Sequence, residues 1–392
     1  MESFYRTHAY LVEHTHAPVR RDLMDEIDWN DRLIGIKGTR GVGKTTFLLQ
    51  YAKEKFGTDR SCLFINMNNL YFSAHTIVEF ADQFQQQGGK VLLIDQIFKY
   101  HGWSKELRRC YDRFPNLKIV FTGSSVMRLK EENLELRDVV KSYNLRGFSF
   151  REFLNLHTGM KFRAYTLDEI LASHEQIAKG VLAKVSPLDY FQDYLHHGFY
   201  PFFLEKRNFS ENLLKTMNMM IEVDILLIKQ IELKYLSKIK KLLYLLAVDG
   251  PKAPNVSQLA TDIQTSRATV MNYIKCLADA RLINLVYPQG EDFPKKPAKI
   301  MMHNSNLMYS IYPVNVREQD VIDTFFVNTM WKDHKVHRGD KNVSFMVDNK
   351  MPFKICMEGS KIKNNPNVVY ALHGAEVGQG NQVPLWMFGL LY

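Results

Sequence analysis

A glycine-rich loop between a strand and a helix constrains the fold of this chain more than any other stretch. The loop reads GTRGVGKTT at residues 38–46. It follows an apolar run at 32–38 that is typical of a buried strand, and it leads into 44–57, where apolar residues recur at helical spacing. A strand, then G-x-x-x-x-G-K-T, then a helix is the signature of a P-loop.

The residue types in this loop suit a nucleotide phosphate site. Gly38, Gly41 and Gly43 allow backbone N–H groups to approach phosphate oxygens at a helix N-terminus. The Lys44 ammonium reaches the β- and γ-phosphates, and the Thr45 hydroxyl is a ligand for Mg²⁺. We therefore predict ATP and Mg²⁺ as cofactors. The predicted ATP-binding residues are Gly38, Thr39, Arg40, Gly41, Val42, Gly43, Lys44, Thr45 and Thr46.

Short apolar strands alternate with helices through the first part of the chain. This alternation implies a parallel sheet covered by helices on both faces, with ligands bound at the carboxyl ends of the strands. The predicted fold class is therefore an α/β P-loop NTPase with a parallel sheet. The strands are predicted at 62–68, 90–95, 118–125 and 139–145, and the helices at 75–87 and 103–114.

Two polar residues end strands at the edge of the sheet where the P-loop lies. Asp95 ends the strand 90–95, and we predict that it holds Mg²⁺ through water, next to Thr45. Ser124 lies at the end of the strand 118–125 and is a candidate sensor of the γ-phosphate. A serine in this position is also a common turn former, so both interpretations stay open.

Several stretches resemble a family of bacterial and archaeal AAA+-type ATPases. They are GIKGTRGVGKTTFLLQY, LLIDQIFKYHGWSKELRRCYDRFPNLKIVFTGSS and LRGFSFREFLNL, and the similarity runs on to the terminal GNQVPLWMFGLLY. Proteins of this family join an N-terminal ATPase domain to a C-terminal region of unknown function with a winged helix and a nuclease-like fold. The resemblance implies an AAA+/ASCE-like ATPase domain at 31–150, after a lead-in at 1–30.

Two departures from the family's pattern bear on ATP hydrolysis. The family usually carries a glutamate after the aspartate, where this chain has Gln96, whose amide can orient a water but cannot accept its proton. The family also carries two arginines after a leucine, whereas this chain has only Arg137, followed by Asp138. We predict an ATP-binding switch with weak or slow hydrolysis. The candidate catalytic residues are Lys44, Asp95, Gln96, Ser124 and Arg137.

The second half of the chain is predicted to hold a helical region, a winged helix and a small α+β domain. Their predicted ranges are 151–250, 251–303 and 304–392. Ser149 and Glu152 form a capping-box pattern that opens the helix after the sheet.

The winged helix is a candidate contact with DNA. Two short helices are predicted around a turn near Gln264, followed by a strand and a wing. Residues 229–303 hold twelve Lys or Arg against six Asp or Glu, within a net charge of +9, which is compatible with nucleic acid but also with a solvated lysine-rich face. Winged helices are also common as internal spacers in P-loop ATPases. A non-enzymatic DNA-binding regulator is therefore the alternative. Residues expected to face DNA are Thr265, Ser266, Arg267, Thr269, Asn272, Lys295, Lys296 and Lys299.

The stretch 320–392 is predicted to alternate strands and turns. In the resembling family this region is similar to PD-(D/E)XK nucleases, whose metal is held by an aspartate and an E-x-K. Here Ser344 stands at the aspartate position, Lys354-Ile355-Cys356 stands for E-x-K, and Asp323 is the candidate for a helical glutamate. Because a metal-dependent nuclease needs converging carboxylates, we expect a scaffold without nuclease activity.

Composition narrows the cellular setting. No apolar run approaches the roughly 18 residues of a membrane span, and the first residues lack the apolar core of a secretory signal. Four scattered cysteines form no C-x-x-C pair, which favours reduced thiols in a cytoplasmic protein. The histidines have no metal-ligand spacing. A homo-oligomer is compatible with the sequence.

Overall fold

The computed structural model describes residues 1–205, 208–340 and 342–392. The chain forms two compact units, residues 1–147 and 148–392. In the first unit, five strands form one parallel sheet in the order β2-β3-β4-β1-β5. These strands are β1 (Leu33–Gly38), β2 (Cys62–Asn66), β3 (Val91–Asp95), β4 (Lys118–Ser124) and β5 (Lys141–Asn144).

Helices connect the first four strands, as the alternating pattern predicted, and two further helices precede β1. The predicted strands and helices of this unit are confirmed, with ends that differ by a few residues. The helices are α1 (Glu2–His14), α2 (Leu23–Glu26), α3 (Lys44–Lys55), α4 (Ile77–Gln86) and α5 (Trp103–Arg113).

The central strands of the sheet are buried on both faces. Every residue of β3 is buried, and β1 is buried at all positions except Lys37. Such strands read as continuous apolar runs because helices cover both sides of a parallel sheet. Polar side chains of these central strands can therefore face a ligand only at the strand ends. The loop 39–43 begins at the carboxyl end of β1.

The second unit begins with a helical region. A capping box at Ser149 and Glu152 opens its first helix, as predicted, since the Ser149 side chain accepts from the Glu152 N–H and the Glu152 carboxylate accepts from the Ser149 N–H. The helices are α6 (Phe150–Thr158), α7 (Leu167–Leu182), α8 (Leu188–Asp193), α9 (Phe209–Met219), α10 (Leu226–Lys229) and α11 (Leu236–Asp249).

A π-helical segment at Tyr194–Gly198 follows α8 within the predicted helical region 151–250. Two residues from a distant part of the chain satisfy its backbone groups. The Asn306 amide donates to the carbonyls of Tyr194 and Leu195, at 3.2 and 2.9 Å, and the Ser305 hydroxyl donates to Leu195 O at 2.6 Å. These bonds stabilise an irregular helix whose carbonyls lack regular partners.

Two helices, a tight turn and a two-stranded hairpin follow. Gln264 adopts a left-handed conformation (φ 52°) in the turn, close to the predicted position. The elements are α12 (Val256–Asp262), α13 (Arg267–Asp279), β6 (Ile283–Val286) and β7 (Lys299–Met302), with β6 and β7 antiparallel, and then α14 (Ser305–Ile311).

The chain ends in a mixed sheet with the order β12-β11-β10-β9-β8. The strands β8 to β10 pair antiparallel, and β10 to β12 pair parallel. Phe326 contacts the rings of Phe345, Phe353 and Phe388 at centroid distances of 5.0–5.8 Å, so one helix is anchored to one face of this sheet. The elements are α15 (Glu318–Met330), β8 (Val336–Arg338), β9 (Phe345–Val347), β10 (Met351–Cys356), β11 (Val369–Leu372) and β12 (Gln382–Pro384).

One prediction for this region was wrong. The stretch 320–392 was expected to alternate strands and turns, but its first part lies in the helix α15. All residues from 321 to 330 are buried. A helix that is buried all round has no polar face, and its sequence therefore lacks the periodic pattern by which a helix is recognised.

Two further findings concern the whole chain. Within the described residues, no helix combines the length and apolar character needed to cross a bilayer. All four cysteines are unbonded thiols; Cys62, Cys110 and Cys356 are buried, and Cys276 is half-buried.

Candidate nucleotide-binding site

The loop between β1 and α3 has the backbone geometry of an anion site. Gly41 and Gly43 have φ values of 86° and 91°, a conformation that residues with a Cβ seldom adopt. Gly43 is the N-cap of α3, so the first N–H groups of this helix have no partner within it. The Lys44 ammonium lies against the loop and donates to the carbonyls of Gly38 and Thr39, at 2.8 Å each.

The carboxylate of Asp95 is the centre of a hydrogen-bond network at the sheet edge. It accepts from Thr45 Oγ1 at 2.9 Å, from Asn66 Nδ2 at 2.9 Å and from Thr122 Oγ1 at 2.5 Å. These donors come from the P-loop helix α3 and from the strands β2 and β4, which flank β3 on both sides. The network thus fixes one carboxylate beside the phosphate loop.

The electrostatics of this network suit a nearby cation. Asp95 is only 1% exposed, and its three side-chain donors are all uncharged. A buried carboxylate needs such hydrogen bonds, but neutral donors leave its negative charge in place. Because the Thr45 hydroxyl donates its proton to Asp95, its lone pairs are free for a metal. One carboxylate with a hydroxyl, water and phosphate oxygens is a typical Mg²⁺ environment, so the residues fit this ion.

Gln96 follows Asp95 in a strained conformation. Its φ is 56°, in the left-handed region, and its N–H donates to Thr122 Oγ1 at 2.9 Å. Its side chain is half-buried. The same threonine therefore positions the Asp95 carboxylate and the Gln96 backbone, which holds Gln96 at the carboxyl end of β3.

Ser124 and Arg137 have different environments. Ser124 pairs with Gly38 in the sheet and is buried, and its hydroxyl accepts from the Val126 N–H at 3.4 Å, an arrangement typical of a turn. Arg137 is exposed just after the short helix Leu134–Leu136.

The residue after Arg137 forms an ion pair at the surface. Asp138 binds Arg108 of α5 at 2.8 Å, and Arg108 also binds Asp112 and the carbonyl of Glu135. The segment where the resembling family carries two arginines is thus bound to α5 through Arg108.

Sequence reasoning missed three residues of this site. Asn66 could have been found, because it ends β2 as Asp95 ends β3, and the two are register partners. Thr122 lies in a predicted strand but was not assigned to Asp95. Arg21, which contacts the P-loop carbonyl of Val42 at 3.3 Å, gives no signal in the sequence because its partners are far away along the chain.

Comparison with protein families agrees with this geometry. Residues 30–154 match the family model described as AAA domain. This part of the chain is an AAA domain. Its fold is the α/β AAA+ fold, with a five-stranded parallel sheet, and an AAA domain implies nucleotide binding. Residues 188–314, beyond the AAA domain, match a domain of unknown function (DUF8612).

One curated protein is similar to this chain over 290 residues. The chain is 30% identical over 290 residues to Uncharacterized protein MJ1637 of Methanocaldococcus jannaschii. The match covers 69% of this chain and 60% of that protein. The chain therefore spans less than two thirds of the relative's length.

Similar solved structures include the Aeropyrum pernix ORC1 protein in complex with DNA and AMPPCP-bound DnaA from Aquifex aeolicus. The first has a TM-score of 0.29 at 11% identity and covers 79% of this chain and 91% of that chain. The second has a TM-score of 0.26 at 13% identity and covers 71% and 87%. The assignment of the AAA domain rests on its family match and sheet order rather than on these structures.

Outside the AAA domain, the residues expected to face DNA differ in their exposure and in their hydrogen bonds. Arg267 and Asn272 are exposed on α13. Ser266 caps this helix, accepting from the Thr269 N–H at 3.1 Å, and its hydroxyl also bonds the Thr269 hydroxyl at 2.9 Å. Thr265 is half-buried. Part of this set therefore serves the helix start rather than an open surface.

Many lysines of 229–303 are engaged within the protein. Lys238 and Lys241 of α11 donate to the carbonyls of Gln264 and Asp262, at 2.6 and 2.7 Å, just after and at the C-terminus of α12. Lys295 pairs with Glu291 at 3.3 Å, whereas Lys296 is exposed. Cations near a helix C-terminus complement its dipole, which gives the lysines of α11 a structural role.

In the tail, the residues at the nuclease-like positions have structural partners. Ser344 Oγ accepts from the Ile355 N–H at 3.0 Å. Asp323 is buried, pairs with Lys299 at 3.4 Å and accepts from Gln319 at 2.8 Å; burial raises the pKa of its carboxyl. Across the described residues, no group of three or more His, Cys, Asp or Glu is arranged to hold a metal.

Proposed function

We propose that this protein is a nucleotide-dependent switch that binds ATP–Mg²⁺ at its AAA domain and hydrolyses it slowly. The observation that carries the proposal is the bond of 2.9 Å from Thr45 Oγ1 to Asp95, beside the P-loop and next to Gln96. The Thr45 hydroxyl and the Asp95 carboxylate are the pair that holds Mg²⁺ in P-loop NTPases.

Binding follows from the parts of the site that are complete. The N–H groups at the start of α3 and the Lys44 ammonium supply positive charge for the phosphates. Thr45 and the water-bridged Asp95 would hold Mg²⁺, which neutralises phosphate charge when bound. Both protein groups are already oriented by hydrogen bonds, so little ordering is needed when the nucleotide arrives.

Slow hydrolysis follows from the parts that are altered. Gln96 can donate or accept a hydrogen bond with the attacking water, but its amide does not take up the proton that the water loses. Asp138 brings a carboxylate to the segment where the resembling family has arginine, and that carboxylate is bound to Arg108. Base assistance and charge stabilisation are both reduced, whereas phosphate and metal binding are retained.

Thermal unfolding tests the binding site. A ligand at about 100 times its Kd stabilises the folded state by about 2.7 kcal/mol. For a unit of this size we expect ATP–Mg²⁺ to raise the Tm by roughly 5–10 °C. Lys44→Ala should abolish this rise, because its ammonium is the cation that reaches the β- and γ-phosphates.

Lys55→Ala, a charge deletion at the other end of the same helix, is the matched control and should keep the rise. An equal rise in Lys44→Ala and in the wild type would place the nucleotide elsewhere.

DNA binding through the second unit is the alternative function. It is favoured by the helix-turn-helix, whose second helix exposes Arg267 and Asn272. It is disfavoured by the internal hydrogen bonds of Lys238 and Lys241, because these two ammonium groups already bind carbonyls of the protein rather than DNA phosphates. We therefore propose DNA contact only as a weak accessory to the nucleotide switch.

Filter binding to random duplex DNA across a salt series distinguishes the two functions. Each phosphate contact contributes about 0.9 to the slope of log K against log salt, and we expect a slope of no more than about two. A slope of five or more that falls by about one in Arg267→Ala or in Lys296→Ala would instead establish a DNA-binding regulator.

The same samples test the proposal that the tail is inactive as a nuclease. With Ser344 and Lys354 in place of acidic ligands, we expect labelled DNA to be recovered intact after incubation with Mg²⁺ or Mn²⁺. Cleavage that is lost on mutating Asp323, or Asp348 directly after β9, would contradict this proposal.

A further inference from the structure

Arg21, which precedes the sheet, makes an unusual set of contacts with the P-loop. Its side chain is buried, with 8% exposed. Nη1 donates to the carbonyl of Val42 at 3.3 Å, and Nη2 donates to the carbonyls of Arg146 and Gly147 at 2.8 and 3.1 Å. One guanidinium thus joins the phosphate loop to the last residues of the first unit.

The bond to Val42 determines which way the next peptide N–H points. In a trans peptide, the C=O and the N–H of the same unit point in opposite directions. A Val42 carbonyl held by Arg21 therefore turns the Gly43 N–H away from Arg21. The φ of 91° at Gly43 belongs to this arrangement. In turns of this kind, successive N–H groups form a concave site for an anion.

The segment 145–147 also contacts the beginning of the loop. The Leu145 N–H donates to the Lys37 carbonyl at 2.7 Å. A Cβ at Gly38 would lie 2.4 Å from the Leu145 carbonyl oxygen, so the two backbones touch. Residues 145–147 are therefore packed against the loop start at Gly38 and joined to Val42 through Arg21. The loop and this segment are thus in direct contact at Gly38 and linked at Val42 through Arg21.

We infer that Arg21 is a positioning residue for the ATP phosphates and couples nucleotide binding to the segment 145–147. The inference rests on the proposed ATP–Mg²⁺ binding. When phosphate oxygens accept from the Gly43 N–H, the peptide between Val42 and Gly43 is fixed. The Val42 carbonyl is then held more firmly by Arg21. The same guanidinium then immobilises the carbonyls of Arg146 and Gly147, where the chain leaves the first unit.

Hydrogen–deuterium exchange with AMP-PNP–Mg²⁺ tests this coupling. In the wild type we expect slower exchange both in the loop 38–46 and in 145–147. Arg21→Lys keeps the charge but has a single nitrogen and cannot reach both sets of carbonyls. In this variant we expect a Kd about tenfold higher, in line with the loss of a charge-assisted hydrogen bond. At saturating nucleotide, the loop should still be protected, while 145–147 should no longer respond.

Arg20→Lys is the matched control, because Arg20 is the adjacent residue but binds Asp25 and Glu54 at the surface. It should behave as the wild type. Protection of 38–46 without any change at 145–147 in the wild type would overturn the coupling, even if Arg21→Lys failed to fold. Wild-type affinity and wild-type protection in Arg21→Lys would do the same. Absence of protection at 38–46 in the wild type would remove the proposed function and this inference together.

Discussion

Gln96→Glu is expected to raise the single-turnover rate of ATP hydrolysis by about 10²-fold, the lower end of the ~10²–10⁴-fold that general-base assistance supplies. The glutamate would stand directly after Asp95, on a backbone fixed by the bond from Gln96 N to Thr122 Oγ1. Its carboxylate could take the proton of the attacking water, which the glutamine amide cannot. We expect the lower end because the segment still lacks the second arginine of the family's pair, with Asp138 after Arg137.

The comparison includes two further variants. Gln86→Glu adds the same charge at an exposed position of α4 and should leave the rate unchanged. Gln96→Glu with Asp138→Arg tests the second deficit; the exposed ion pair with Arg108 is lost, but such pairs contribute little to stability. If the wild type hydrolyses ATP as fast as Gln96→Glu, the missing glutamate is not the deficit, and another group positions the water.

Asp95→Asn is expected to lower the affinity of the ATP-bound site for Mg²⁺ by about 10–100-fold. This is the usual effect of removing a group that orients a metal's ligands. The substitution keeps the shape of the side chain but removes its charge. The hydroxyls of Thr45 and Thr122 can rotate to accept from the new amide, so the fold should be retained. ATP titrations with Mg²⁺ and with EDTA measure the effect.

The expected result is an affinity for ATP that no longer improves when Mg²⁺ is added. Asp112→Asn, an exposed carboxylate of α5, is the control and should keep the wild-type response. An Asp95→Asn protein with the wild-type Mg²⁺ response would mean that the metal is held without this carboxylate.

The nucleotide domain could be predicted from its sequence because each local signal there agrees with the fold. The apolar strands are short and buried on both faces, and the P-loop carries its own geometry in Gly41 and Gly43. Asp95 was placed correctly at the end of β3 because the carboxyl ends of parallel strands share one edge. This rule applies equally to Asn66, which was overlooked because an asparagine at a strand end is also a common turn residue.

The contacts of Arg21 and the helix α15 were beyond such reasoning. Arg21 binds backbone carbonyls 21 and more residues away. Because every residue has such a carbonyl, the sequence does not indicate which ones an arginine will bind. The helix α15 is buried at every position from 321 to 330, so its pattern was interpreted as strands. The lysines of α11 show a third limit: charge can be counted from the sequence, but whether it faces solvent or a helix terminus depends on the fold.

The helix α1 has a consequence for how this protein behaves in concentrated solution. The strand β2 is at the edge of the parallel sheet, so one side of its backbone does not pair with a strand of this sheet. The ring of His8, from α1, accepts from the outward N–H of Phe64 at 3.0 Å, and burial lowers the pKa of His8. A neutral imidazole thus occupies a site where a foreign strand would begin to pair. Edge strands are the usual starting points of aggregation, and here a helix shields one from self-association.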